Sequence, residues 1–263
     1  MLPSSRRARF ASRALSWLLC LPVAVVPLPA QARRLFRARF EVGTLEVEKP
    51  GALAIDAELG SIYGDGEDGL RLLLPDFELD LGVTEWLELD IDGGFTLLRL
   101  KERDQQWVGE PVWSALRFDL YSAEQEHTGR TFGIGLQLGP RWPSVRNVAG
   151  VGFAGLALVG GGTRSFHAVA NLGSTIDRGQ PPALNYGVSL ELELPVGRKW
   201  ALIGQVAGAH YFGGEHDQLF VNLGVSSELN EALELSLFAL GGPAYQGDRF
   251  GLLAGMTYRS ELW

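Results

Sequence analysis

After Cys20 the chain has no cysteine. Disulfides, thiolate metal centres and thiol catalysis are thereby excluded for everything beyond residue 32. Basic residues are also few: 23 lysines and arginines stand against 31 acids, a formal charge of −8. Four of those arginines, Arg6, Arg7, Arg9 and Arg13, lie near the N-terminus, so residues 33–263 carry a formal charge of −12. Nucleic acid is therefore not expected as a partner, because a phosphate backbone is bound through a basic surface. No apolar run after residue 32 is long enough to cross a bilayer as a helix, and no stretch has convincing helical amphipathicity. Glycine is abundant, but in stretches such as GVGFAGLALVGGG it belongs to strands or turns. A dinucleotide site would need a strand-to-helix context that the chain lacks, so no cofactor is expected.

What is present begins with a leader. The arginine-rich start runs into ALSWLLCLPVAVVPLPAQA, a short apolar stretch broken by Pro22, Pro27 and Pro29 and closing in Ala30-Gln31-Ala32. That pattern reads as a secretory signal peptide over residues 1–32, cleaved after Ala32, rather than as a membrane anchor. Leu19 before Cys20 is not the small residue that a lipoprotein signal uses.

Beyond it, alternation of period two recurs in segments of roughly ten residues, separated by Gly, Pro, Asn and Asp. Twelve strands are expected: 51–62, 70–83, 86–98, 112–121, 131–139, 149–160, 164–174, 184–194, 199–210, 217–228, 232–241 and 249–260. Connections after even-numbered strands are tight, as in VTE before Trp86, GGGT, PVGR and LNE. Those after odd-numbered strands are longer and polar, as in RLKERDQQWVGEP, PRWPSVRNV and STIDRGQPPA. One connection, SAEQEHTGR at 122–130, is long where the rule wants it short. An even set of such strands with short turns at one end and long loops at the other is the pattern of an outer-membrane barrel. The expected fold is all-β, an antiparallel transmembrane β-barrel over 51–263, preceded by an N-terminal periplasmic segment at 33–50.

Aromatic residues support that reading. Trp86, Trp200 and Trp263 fall at the short-turn end, while Trp113, Trp142, Tyr211, Phe212 and Phe250 fall near the long-loop end. Two aromatic belts mark the two interfaces of a bilayer-spanning barrel. With Leu, Val, Ile and Phe facing lipid, the opposite phase lines the lumen. That phase holds Asp56, Glu58, Asp76, Glu78, Asp80, Glu88, Asp90, Asp92, Asp119, Glu191, Glu193 and Glu234, with Gln205 and the rare basic members Arg117 and His167.

The acids concentrate in PDFELDLGVTEWLELDIDGGF (75–95). A hairpin closed by VTEW pairs Asp80 with Glu88, Glu78 with Asp90 and Asp76 with Asp92, or the same ladder shifted by one rung. Either way carboxylate faces carboxylate, which destabilises a hairpin by up to about 1 kcal/mol per pair. Water and screening, arginines from elsewhere in the wall, raised pKa values or a bound cation would each relieve it. In a pore, such a wall favours cations over anions.

Catalytic constellations are weak. Ser165, His167 and Asn171 in RSFHAVANLGS contain the residue types of a lipid hydrolase, but alternate residues on one strand face cannot converge on one reacting atom. His210, Glu215, His216 and Asp217 in HYFGGEHD could meet a metal only partially, and His127 lies in a loop. No enzyme activity and no resident metal are expected.

Two stretches, LGVTEWLEL (81–89) and SSELNEALELSL (226–237), repeat one hairpin: a strand, an acid-bearing turn, then Leu-Glu-Leu. Together with GIGLQLGPRWPSVRN (133–147) and the closing strands from LNYGVSLELELPVGRKWALIGQVAGAHYF to FGLLAGMTYRS, they resemble the MetA-pathway of phenol degradation family of transporter-like outer-membrane barrels. The resemblance runs in order over most of residues 33–263. It implies an outer-membrane location and passive passage of small hydrophobic or aromatic compounds through the lumen. Two features depart from the family: Ser260 interrupts the last apolar phase and leaves Trp263 out of step, and Gln205 stands where the family often has glutamate. A non-conducting structural barrel, with RLKERDQQW as a contact surface, is the alternative expectation, and an outer-membrane lipid hydrolase the third. The expected partners are outer-membrane lipids, the barrel-assembly machinery and an unidentified small solute.

Overall fold

The computed structural model describes residue 45 and residues 47–64, 70–99, 106–109, 111–125, 129–143, 150–163, 165–178, 181–195, 199–212, 217–244 and 248–263. Thirteen strands run along these residues: β1 (Ala52–Gly64), β2 (Leu70–Thr84), β3 (Leu87–Arg99), β4 (Gln106–Gly109), β5 (Val112–Gln125), β6 (Arg130–Trp142) and β7 (Gly152–Gly162). They continue with β8 (Phe166–Ile176), β9 (Ala183–Leu194), β10 (Lys199–Tyr211), β11 (Gln218–Asn230), β12 (Leu233–Ala244) and β13 (Asp248–Glu261). Neighbours pair antiparallel in chain order, and β1 pairs with both β2 and β13, which closes the ring.

Strands β4 and β5 share one place in that ring. The first half of β3, Leu87 to Asp92, pairs with β5, whereas Phe95 to Leu98 pair with β4. Pro111 falls between the two pieces; with no N–H to donate, proline cannot continue a ladder. The wall is therefore a closed antiparallel barrel of twelve strand positions. Most of the expected strand centres hold, and the tight turns at Glu85–Trp86 and Glu231–Ala232 are where the pattern put them.

Besides RLKERDQQWVGEP, which was expected as a loop and contains β4, two connections differ from expectation. Residues 122–125 and Arg130 are strand, so the connection thought long at 122–130 shrinks to 126–129, with Gly129 at φ 59° where a left-handed turn is needed. The connection between β12 and β13 shrinks to 245–247, at the end where long loops were expected. Alternating polarity continues into SAEQ, and the wall follows that alternation rather than the residues' loop-like composition.

Alternation sets one face of every strand outward. Leu59, Leu172, Leu190, Leu202, Leu223, Leu237 and Leu252 are all exposed there. The inward face is not uniformly polar, contrary to the expectation that apolar residues face lipid. One row of register partners reads Ile203, Gly224, Phe238, Leu253, Gly60 and Leu73, from β10 round to β2. With Ile62 and Leu240 its large members form a buried cluster inside the barrel, and Phe220 packs against it. Two glycines flank the Phe238–Leu253 pair in the row, which makes room for these large side chains in a narrow interior. Phe238 covers Gly224, and Leu253 covers Gly60.

That packing predicts the cost of filling the gaps. A Cβ on Gly224 would stand 2.5 Å from Phe238 Cε1, whereas one on Gly204 would meet only Leu223 Cδ2 at 3.6 Å. Gly224→Leu is expected to destabilise the barrel by about 1–3 kcal/mol, from overpacking. Gly204→Ala should leave the urea-unfolding midpoint in vesicles nearly unchanged; equal midpoints for the two variants would contradict the interior packing.

Candidate functional site

The acidic hairpin adopts the ladder shifted by one rung. Asp80 faces Asp90, Glu78 faces Asp92, and Gly82 faces Glu88. On the other side of β2, Glu78 faces Asp56 and Asp76 faces Glu58. Three of these carboxylates, Asp80, Glu88 and Asp90, are completely enclosed. An enclosed anion is costly unless it is paired and hydrogen-bonded.

The pairing comes from the next strand. β5 sets Arg117 directly opposite Glu88, and its guanidinium lies 3.0 Å from Glu88 Oε1, 2.7 Å from Asp90 Oδ2 and 3.3 Å from Glu78 Oε1. Gln137, opposite Arg117 on β6, donates a hydrogen bond to Asp90. Of the reliefs open from the sequence, the structure contains an arginine from the wall. Carboxylate oxygens of Asp80, Glu88 and Asp90 lie within 4.8 Å of one another, as do those of Asp56, Glu78 and Asp80. In the first group the planar fork of Arg117 already supplies the positive charge a cation would bring.

A second ionic group ties the N-terminal approach to the wall. The backbone N–H of Glu48 donates to the Glu88 carboxylate, and Glu48 Oε1 lies 3.6 Å from Arg259 Nε. Arg259 also reaches Glu234 at 3.4 Å. Gly82 has no Cβ, which allows the backbone of Glu48 and Lys49 to lie against it, and Gly51 donates to Gly82 O at 2.9 Å. Further back, Leu45 approaches Gly133 and Gly160, register partners on β6 and β7. Residues 47–50, next to the start of β1, thus lie against the wall at the short-turn mouth, and Leu45 lies at the far wall. The sequence offers one sign of this contact: two glycines at matching heights in neighbouring strands, where side chains would fill the mouth.

The other lumen candidates scatter around the ring. Glu191 faces His167 across β8–β9, and the Glu193 N–H donates to Ser165 O at 2.9 Å. Asp119 sits at a bulge in β5, its N–H donating to Trp86 O at 3.0 Å. Gln205 is enclosed and accepts from Asn222 Nδ2 at 3.3 Å. Among the acids of the paired ladder Asp92 is exposed, as is Glu85 at the turn.

Several expectations need correction. Trp113 shares the inward phase of Ala115 and Arg117 and donates to Gly139 O at 3.2 Å, and Tyr211 shares the inward phase of Ala207 and Ala209. Neither belongs with the outward aromatics; their nearness to a strand end suggested the interface, but parity decides the face. Trp86, Trp142, Trp200, Phe212 and Phe250 are exposed, and Trp86 stacks on Phe118 at 6.3 Å. Sequence reasoning missed outward Tyr63, Phe95 and Trp107 toward the long-loop end, and Tyr121, Phe132 and Phe166 toward the other. Ser165 lies in a bend before β8 rather than on the face of His167 and Asn171. His210 Nδ1 and Asp217 Oδ1 meet at 2.8 Å on the exposed rim; His127, Glu215 and His216 lie outside the described residues.

No family model matches the chain, and no curated protein matches it in sequence. Its fold is similar to that of an outer membrane channel from Pseudomonas putida F1, with a TM-score of 0.57 and 11% identity over 84% of this chain and 100% of that one. The KdgM porin aligns with a TM-score of 0.49 and 7% identity over 78% of this chain and 98% of the porin. At such identities, the first likeness establishes the barrel fold and nothing finer.

Removing the cation at the centre of the acidic group has a predictable sign. Arg117→Met leaves Glu88 and Asp90 enclosed without it, and a loss of about 3–5 kcal/mol is expected. Adding Glu88→Gln and Asp90→Asn to that variant should restore much of the loss. Urea midpoints of the single and triple variants provide the check, and an unaffected single variant would show that the guanidinium is not what holds the hairpin.

Proposed function

We propose that the chain is an outer-membrane channel-like barrel through which small solutes, hydrophobic or aromatic compounds among them, pass without energy input. The observation that carries this reading is the closed ring, with apolar side chains facing outward and aromatics exposed toward both rims. Such a surface suits lipid, and closure leaves no unpaired edge in a medium without water. The signal-peptide pattern expected at residues 1–32 supports export, and the resemblance to the MetA-pathway of phenol degradation family supports the solute class. Lipids and the barrel-assembly machinery are the partners this location requires. An interior that combines an acidic group near the short-turn end with an apolar cluster above it suits solutes of mixed character better than bare ions.

The non-conducting barrel remains the second reading, and one observation favours it: Ile203, Phe238, Leu240 and Leu253 fill interior space, while Leu45, Glu48 and Lys49 lie at one mouth. Twelve-strand interiors are narrow enough for side chains to decide the matter. Unit conductance of the refolded chain in planar bilayers separates the two, and phospholipid hydrolysis assays address the enzyme class.

Ion preference gives a sharper test. Asp92 is exposed and the Glu78 side chain is 30% exposed, whereas Asp80, Glu88 and Asp90 are enclosed. The reversal potential under a salt gradient is expected to show cation preference that falls on Asp92→Asn combined with Glu78→Gln. Asp80→Asn should change stability rather than preference. A clear anion preference in the unmodified protein would overturn the acid-lined path.

A further inference from the structure

Outside the acidic group, the inward face carries a neutral polar row across β9, β10 and β11. Ser189, Gln205 and Asn222 are register partners on β9, β10 and β11. They are only 3%, 2% and 3% exposed. Asn222 Nδ2 donates to Gln205 Oε1 at 3.3 Å, which uses one donor and one acceptor of the amide pair. Gln205 Nε2, Asn222 Oδ1 and Ser189 Oγ have no hydrogen-bond partner among the described residues. A spare donor and a spare acceptor therefore stand side by side.

The surroundings are apolar. Ile203 lies one rung below Gln205, Phe220 one rung above Asn222, and Leu240 directly opposite Asn222. Glu191, one rung from Ser189 on the same face, disfavours an anion.

We infer that this row is a solute-binding ledge for an uncharged hydrocarbon bearing a hydroxyl group. The hydroxyl accepts from Gln205 Nε2 and donates to Asn222 Oδ1, while the hydrocarbon body lies against Ile203, Phe220 and Leu240. A hydroxyl both donates and accepts, so it satisfies the pair even if the amide orientations are exchanged. A hydrocarbon without the group leaves both amide atoms unmet, and that difference is what a polar pair in an apolar wall discriminates. This inference rests on the channel-like reading and specifies its solute.

The test uses the refolded, 15N-labelled barrel with benzyl alcohol, toluene and benzoate as probes. Side-chain amide resonances of Gln205 and Asn222 are identified by their loss in Gln205→Met and Asn222→Leu. Benzyl alcohol is expected to shift both resonances saturably, toluene at least about tenfold more weakly, and benzoate not at all. Gln205→Met should abolish the saturable shift of Asn222. Amides unmoved by benzyl alcohol, or moved equally by toluene, would overturn the ledge. Should the variants not fold, as read by heat-modifiable electrophoretic mobility, selective reverse labelling with unlabelled glutamine or asparagine separates the two amide types in the unmodified protein. The ranking of the three probes on it still decides. Conductance is measured in parallel: its absence with intact amide shifts removes the channel, whereas conductance with unmoved amides removes only the ledge.

Discussion

Everything in this barrel depends on β1 finding a partner on each side. Its register with β13 runs from Ala52 opposite Glu261 to Gly64 opposite Asp248, and its register with β2 from Leu53 opposite Leu81 to Tyr63 opposite Leu70. Without that closure two strands would present unpaired backbone groups to lipid, where no water replaces the missing bonds. Closure also makes side-chain parity binding: once the ring is shut, every residue is inside or outside, and a slip of one residue would turn a whole strand inside out.

That binary choice explains why the interior mixes unlike chemistries. On β12, Glu234, Ser236, Phe238 and Leu240 share one parity, so the strand delivers an acid to the short-turn end and an apolar pair to the other. On β13, Arg259 brings a base to the short-turn end and Leu253 an apolar side chain to the other layer. The charged layer is held by two arginines from strands on either side of the acidic hairpin. The apolar layer is held by large side chains over glycine. The neutral amide row lies beside the second layer, where the wall has hydrogen-bonding capacity left over.

The acidic hairpin was legible as a hairpin, and its turn at Glu85–Trp86 was found from four residues. Its register was not, because VTEW permits two ladders and only the bulge between Gly82 and Thr84 selects one. The partner of the acids was visible as a rare basic residue, Arg117, yet nothing local to β5 says that it faces Glu88. Pro111 looked like the end of a loop; it is the gap within one wall position, because β4 rejoins β3 just before it.

From the sequence alone came the period-two alternation, the turn chemistry, the missing helices and the acid-rich phase, all properties of neighbours a few residues apart. Those suffice for an antiparallel barrel of about twelve strands. Only the tertiary structure decided that Arg117 neutralises the hairpin, that Glu48 and Leu45 reach into the mouth, and that Gln205 and Asn222 stand side by side against Ile203 and Leu240. Such contacts join residues from different strands, and their geometry follows from ring closure and register, which no single strand encodes.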